Sequence, residues 1–409
     1  MREQEGWDEH AAFMDGLAED GFVVLGGPLA EADRFLFLVA AASEQEVEAR
    51  LAADPWTPTA LLRIAGIEPW EILLDSREPD DLSRIQNLIF GTVRAKAVYV
   101  AAKLGVADEL ADGPLTVAEL ARSTDAHPDA LYRIMRVLAA EGLFEEVEPG
   151  TFTVTDLGRL ISEDAPGSRK YLSLMFAEHT DRAFDHVLEV VRTGEPAAKL
   201  AFRKPYFDWI ADHPDAAEIF NKAMTGGASV RLPTLVPLEI WSSGRSVVDV
   251  GGGNGTAVAA LLKEHPHLHG TVFDLPHCEA EASALLDAEG VADRGTFQPG
   301  NFFEAVPSGA DVYVLLQILH DWSDEDATRI LRSVRNAIGD DGRLIVLEDI
   351  IPDKAGEGGP ILLDLTVLVL LGGRERTEAE WRQLLAGGGF QVTRITPGPR
   401  ASAIEARPA

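Results

Sequence analysis

The sequence predicts a chain of the α/β class, in which a C-terminal doubly wound parallel sheet follows a helical winged-helix unit and a small α+β unit. Three observations carry that reading. From Ser246 onward, apolar strands alternate with amphipathic helices; from Asn87 to Ile161 the order is helix, helix, hairpin; from Trp7 to Asp75 it is helix, strand, strand, helix, strand. A length of 409 residues suits two or three such units, and a composition 46% hydrophobic and 25% charged can bury their cores.

In the N-terminal unit, expected over residues 1–75, the apolar runs Phe22-Val23-Val24-Leu25 and Phe35 to Val39 flank a turn expected at Gly26-Gly27-Pro28. Ser43 and Glu46 have the spacing of a capping box for the second helix, and Ser76 to Leu82, with acids and Pro79, reads as a linker. The winged-helix unit is expected over residues 84–165. Thr116 and Glu119 form another capping box; Leu131, Ile134, Met135 and Leu138 lie on one helical stripe; Gly142 sits where a helix ends, and a hairpin turns at Pro149-Gly150. A DNA-reading winged helix needs a basic recognition helix, yet Thr116 to Leu160 carries four arginines against eight acids, which favours a dimerisation or scaffold module. Residues 166–242 read as a helical linker, rich in aromatics and Met, that lines a pocket, and residues 243–409 as a Rossmann-like domain with strands at Val247–Val250, Gly270–Phe273, Val312–Leu316 and Leu344–Leu347.

Charge excludes some partners. Thirty-six Lys and Arg against 67 Asp and Glu leave a formal net charge of −31, which repels phosphate backbones and anionic lipid, so neither nucleic acid nor a membrane surface is expected. The single cysteine, Cys278, cannot form an intramolecular disulfide and reads as a buried structural thiol in a reducing compartment. Met1 to Glu5 lack the pattern of a secretory leader, and no run reaches the ~18 apolar residues of a membrane span, so a cytoplasmic location is expected.

The sharpest motif is VVDVGGGNGT, Val247 to Thr256, where an apolar strand runs into a glycine-dense turn and then a helix. Glycine lets the backbone approach a ligand closely and tolerates positive φ. The dinucleotide pattern G-x-G-x-x-G would place its third glycine at 256, which is Thr; the actual spacing Gly251-x-Gly253-x-Gly255 suits a ligand with an amino-acid end. Asp274 lies 21 positions after Gly253 at the close of the next strand, where a carboxylate can accept from both hydroxyls of a ribose. His320 follows the strand Val312–Leu316 at its carboxyl end, where sites of open α/β sheets lie, and an imidazole near pKa ~6.5 suits proton abstraction. Ser323 with Asp324, Glu325 and Asp326 reads as a helix cap and first turn.

Five ordered segments, VVDVGGGNGT, FDLP at Phe273–Pro276, GNFFEAVPSGAD at Gly300–Asp311, LHDWSDE at Leu319–Glu325 and GGRERTEAEW at Gly372–Trp381, together resemble the plant-caffeate-type small-molecule O-methyltransferases, whose bacterial relatives decorate polyketides and other secondary metabolites. The resemblance runs from about Asn87 to the C-terminus. It implies S-adenosyl-L-methionine as cofactor, an aromatic or polyketide-like acceptor, and a homodimer formed through the winged-helix region. It implies a cofactor set of Gly251, Gly253, Asp274, Leu275, Asn301 and Phe302, with Gly251 on the methionine part, Asp274 on the ribose, and Asn301 with Phe302 on the adenine. It makes His320 the general base, flanked by Glu348 and Glu375; the residues alone leave Glu375 open to a salt bridge with Arg374 or Arg376. It sets Met224 in the acceptor pocket near the transferred methyl, and Met175, with Phe176, is a further pocket candidate. No metal is expected. Two positions depart from the pattern: Asn301 stands where the family usually has Asp, and Leu316 where many plant members have Lys. They keep open a second reading, an enzyme of the same fold that binds the cofactor but catalyses decarboxylation, hydroxylation or cyclisation.

Trp7 to Leu74, with Gly26-Gly27-Pro28 and Asp54-Pro55-Trp56, resembles the YCII-related family of dimeric ferredoxin-like α+β barrels, which keeps a His and an Asp in a small pocket. His10 and Asp54 match them. A dimer-reinforcing or scaffold role is expected rather than a second active site.

Overall fold

The computed structural model describes residues 6–29, 34–57, 61–70, 81–356 and 360–409. Two compact units emerge, residues 1–84 and 85–409.

In the first unit the helix Trp7–Glu19 packs on an antiparallel pair, β1 (Val23–Pro28) and β2 (Phe35–Val39), and the helix Glu44–Leu51 follows. Leu17, Phe22 and Val47 are its buried core. Ser43 Oγ accepts the Glu46 N–H, as its spacing predicts, but the Glu46 carboxylate takes the N–H of Ala42 rather than that of Ser43. The turn expected at Gly26-Gly27-Pro28 is wrong: these residues belong to β1 and pair with Phe37, Leu36 and Phe35. The reason is a close approach, because a Cβ on Gly26 would lie 2.4 Å from the Phe37 ring, so glycine here admits an aromatic neighbour within a strand. The closing strand expected before Asp75 does not form over residues 61–70, and residues 71–75 lie outside the described residues. The expected linker mostly lies outside them too; its last residues, Asp81 and Leu82, open the helix Asp81–Ile89.

In the second unit the capping box at Thr116 and Glu119 forms, and the helix Pro128–Ala140 buries Leu131, Met135 and Leu138 and leaves Ile134 partly buried. Gly142, at φ 80°, ends that helix. The hairpin of β4 (Phe144–Glu148) and β5 (Thr151–Val154) turns at Pro149-Gly150 and gains β3 (Leu115–Thr116) in the order β3-β5-β4. Residues 170–242 are mostly helical.

A seven-stranded sheet organises the rest: β6 (Ser246–Val250), β7 (His269–Asp274), β8 (Gly295–Pro299), β9 (Val312–Leu316), β10 (Arg343–Glu348), β11 (Phe390–Thr396) and β12 (Ser402–Pro408), in the order β11-β12-β10-β9-β6-β7-β8. Pairing is parallel from β8 to β10 and antiparallel at β10–β12 and β12–β11, so the sheet is mixed rather than wholly parallel. Each face carries its own apolar core, one against the helix Thr256–Glu264, the other against Asp324–Ala337 and Trp381. Strands buried on both faces need continuous apolar runs, and β9 and β10 have them. The order reverses at β6, and the carboxyl ends of β6, β7, β9 and β10 open onto one crevice. Among the described residues no helix is long and apolar enough to cross a membrane.

Candidate active site

The glycine turn has the geometry its sequence demands. Gly251, Gly253 and Gly255 have φ of 78°, 55° and 81°, which side chains rarely adopt. A Cβ on Gly251 would lie 2.5 Å from Ile318 Cδ1, so this glycine lets the turn close on the loop that follows β9. Beside Gly253 there is open space, with nothing within 4 Å of a Cβ placed there. Asp274 Oδ2 accepts the Gly253 N–H at 2.8 Å and Oδ1 the Leu275 N–H at 2.6 Å, which ties the end of β7 to the turn. Leu275 itself is largely exposed.

Asp249 is a residue that the sequence reading passed over. Its side chain lies behind the turn, 2% exposed, with Oδ1 buried and without a partner among the described residues. Burial, and after it the charge of Asp274, pushes its carboxyl up to about 7. Two carboxylates around an open glycine turn disfavour a phosphate and suit a ligand that brings amino and hydroxyl donors. The residues present therefore fit S-adenosylmethionine.

Asn301 caps its own loop: Oδ1 accepts the Phe303 N–H at 3.0 Å, so the one acceptor kept in place of a carboxylate is occupied within the chain. Phe302 sits edge-on to Trp322, with ring centroids 6.0 Å apart. Leu316 packs among the sheet residues as an apolar side chain. Cys278 is a free, buried thiol, which burial and then Asp274 and Glu281 push up to about 12, so it stays protonated.

At the ends of β9 and β10 a buried cluster forms around His320, which is 6% exposed. Glu375 Oε1 lies 2.6 Å from His320 Nδ1, so in the neutral imidazole the proton belongs on Nδ1 and Nε2 is the basic nitrogen. Glu348 stands beside the imidazole, as expected, and also binds the backbone around it. Its nearest oxygen is 3.9 Å from Nδ1, while Oε1 accepts the backbone N–H groups of Ile318, Leu319 and His320 and Oε2 the Gln317 amide. Glu348 thus holds the loop that carries the imidazole. Gln317, at φ 54°, is one of the few non-glycine residues in the left-handed region, and that strained position is held by the bonds to Glu348. Asp321 Oδ1 lies 3.4 Å from His320 Nε2.

Burial by itself would push the His320 imidazole down; Glu348, Asp321 and Glu375 outweigh it and raise it to about 10. Burial raises Asp321 to about 6. The salt bridge left open for Glu375 does not form. Arg374 pairs with Glu380 and Asp324, and Arg376 with Asp324, while the Glu375 N–H donates to Asp364.

Sequence reasoning also missed Arg376 and Gly373. Arg376, 1% exposed, donates to the carbonyls of Leu319 and Trp322 and so pins both sides of His320. Gly373 lets the two loops touch: its Cβ would lie 2.1 Å from the His320 carbonyl, which accepts the Arg374 N–H. Of the pocket candidates, Met175 is buried at the end of the helix Lys170–Met175 and Met224 is 40% exposed on the helix Pro214–Ser229, which packs against it. Phe176 opens a π-helical segment and is part exposed.

The chain is similar to known proteins along its second unit. A model of the O-methyltransferase domain matches residues 184–391, and one of the O-methyltransferase dimerisation domain matches residues 86–164. The phenazine O-methyltransferase PhzM of Lysobacter antibioticus is 38% identical over 80% of this chain and 96% of its own length. The aclacinomycin 10-hydroxylase RdmB of Streptomyces purpurascens is 37% identical over 76% and 85%. Among solved structures, the O-methyltransferase NcsB1 from neocarzinostatin biosynthesis, in complex with S-adenosylmethionine and 2-hydroxy-5-methyl naphthoic acid, superposes with a TM-score of 0.67 at 33% identity over 77% of this chain and 96% of that one. By these matches along the second unit, the chain belongs to the S-adenosylmethionine-dependent O-methyltransferase family.

Proposed function

We propose that this enzyme transfers a methyl group from S-adenosylmethionine to a hydroxyl, best a phenol, of a small aromatic or polyketide-like acceptor, with His320 as general base. The observation that carries the reading is the 2.6 Å contact of Glu375 with His320 Nδ1, which in the neutral imidazole leaves Nε2 to receive a proton. The cofactor, when bound, supplies the methyl group on a sulfonium. The chain's own tasks are to hold the acceptor oxygen in line and to take its proton. Gly251, Gly253, Asp274 and Leu275 hold the methionine and ribose end, and Asn301 with Phe302 the adenine. Met175 and Met224 line the acceptor pocket, where a soft thioether adapts to a flat ring.

Near neutral pH an imidazole raised to about 10 is largely protonated, so only the fraction that has lost its proton can act as base, and that fraction shares the proton of a phenol of pKa ~10 nearly evenly. The sign of the pH dependence follows. A base works only after losing its own proton, so kcat/KM is lost below the pKa of His320 and rises through it, well above the ~6.5 of a free imidazole. Glu375→Gln removes one of the carboxylates that raise this pKa. Its pH–rate limb is expected at lower pH than the wild type's, with kcat reduced by part of the ~10²–10⁴ that general-base catalysis contributes. Matched profiles of the two proteins check this.

The enzyme works as a homodimer through residues 84–165, and Leu88, Ile89, Phe90 and Val93 there present exposed apolar side chains suited to a partner copy. The unit before it serves as a scaffold. Its His10 and Asp54 do meet, 2.8 Å apart, with the imidazole stacked on Trp56.

The relative that is a 10-hydroxylase favours a second reading, in which the same cofactor site serves a reaction other than methylation. Incubation with methyl-labelled cofactor and a panel of aromatic hydroxyl compounds separates the two. Label in an O-methyl ether, with S-adenosylhomocysteine formed in equal amount, is the expected result. A converted acceptor without label would support the second reading instead.

A further inference from the structure

Three guanidiniums gather at the carboxyl end of the sheet, apart from the residues assigned above. Arg169 precedes the helix Lys170–Met175, Arg231 follows the helix Pro214–Ser229, and Arg400 lies between β11 and β12. Arg169 Nη1 donates to the Gly226 carbonyl at 3.4 Å and Arg231 Nη1 to that of Gly227 at 2.9 Å, so both side chains are anchored on successive carbonyls of one helix. The register that sets Ser402 opposite Glu348 brings Arg400 to the same end of the sheet. One carboxylate faces them: Asp349 Oδ2 is 3.3 Å from Arg231 Nη2, and among the described residues neither Arg169 nor Arg400 has an ion pair. Arg231 Nε is buried and meets no acceptor among those residues. Burial, and then the charges of Arg231 and Arg400, hold the Arg169 guanidinium below its usual range.

In a chain of net charge −31, three guanidiniums share one paired carboxylate and are short of an anion. Their position says where it comes from. Thr225, next to Gly226, accepts from Asn254 of the glycine turn at 2.8 Å, and Asp349 follows Glu348, which holds the His320 loop. The cluster is therefore bracketed by the cofactor turn and the base. The planar fork of a guanidinium matches a carboxylate.

Resting on the methyltransferase reading, we propose that Arg169, Arg231 and Arg400 form a carboxylate-binding site at the rim of the catalytic crevice. It takes either the carboxylate of an aromatic-acid acceptor or that of the amino-acid end of the cofactor.

The test is calorimetric titration of the wild type, Arg169→Met and Arg400→Gln with 2-hydroxy-1-naphthoate, with 2-naphthol and with S-adenosylhomocysteine. If the acceptor supplies the carboxylate, the wild type binds the acid about tenfold or more tighter than the naphthol, and the gap closes in the variants while S-adenosylhomocysteine binds unchanged. If the cofactor supplies it, affinity for S-adenosylhomocysteine falls about tenfold in the variants and the acid has no advantage. Variants that bind all three compounds as the wild type does, including the case where neither naphthalene binds, overturn the site. Arg400→Gln, at an exposed residue, carries the test should Arg169→Met fail to fold. A wild type that binds no S-adenosylhomocysteine rejects the methyltransferase reading, whereas the naphthoate comparison tests the arginines independently of it.

Discussion

Replacing His320 with alanine is expected to lower kcat by about 10²–10⁴ while leaving the affinity for S-adenosylmethionine near that of the wild type. The split follows from position. The imidazole stands in the loop after β9, its Nδ1 held by Glu375, and it has no bond to the glycine turn or to Asp274. On the proposed mechanism losing it removes the proton acceptor, while Glu348 still gathers the backbone N–H groups of Ile318 and Leu319. Steady-state kinetics with a methylated acceptor and calorimetry with the cofactor measure the two halves. Full turnover in the variant would remove His320 from the chemistry.

Gly373→Ala is expected to lower kcat by about 10² without touching any reacting group. The added methyl would lie 2.1 Å from the His320 carbonyl and 2.6 Å from the Asp321 carbonyl carbon, both backbone atoms, so one loop must move. Arg376 bonds to Leu319 and Trp322 on either side, and the Arg374 N–H bonds to His320 itself, so the displacement carries the imidazole and Glu375 with it. A shift near 1 Å at a positioned base costs on the order of 10² in rate. Overpacking of this kind also destabilises by about 1–3 kcal/mol, which thermal unfolding would register. Unchanged kinetics would mean that the two loops do not need this contact.

Much of this site was legible because its residues lie where local rules apply. The glycine turn announces itself by spacing, Asp274 by its place at the end of a short apolar strand, and His320 by following the run Val312–Leu316; the structure brings all three to the carboxyl ends of neighbouring strands. Residues whose role depends on distant partners were not legible. Glu348 was expected beside the imidazole and lies there, but that its carboxylate also binds the backbone N–H groups of the loop is something no pattern reveals. Arg376 and Gly373 act through carbonyls more than fifty positions away, and Asp249 looks like any strand residue until burial leaves one oxygen unpaired. The strands β8, β11 and β12 were missed for a related reason. Gly295-Thr296-Phe297-Gln298-Pro299 sits at an edge with little apolar content, and the last two strands form an antiparallel hairpin, which an alternation of strands and helices does not predict. In the first unit, Gly26-Gly27-Pro28 carried the signature of a turn and became a strand because Phe37 lies across it.

The most direct measurement is a calorimetric titration of the purified protein with S-adenosylmethionine and then with S-adenosylhomocysteine, beside the same titrations of Asp274→Ala. The expected result is binding of both by the wild type and weaker binding of both by the variant, since on the proposed reading the Asp274 carboxylate meets the ribose, and it holds the Gly253 N–H at 2.8 Å. No binding of either compound by a folded wild type would contradict the cofactor site, and the proposed methyl transfer with it.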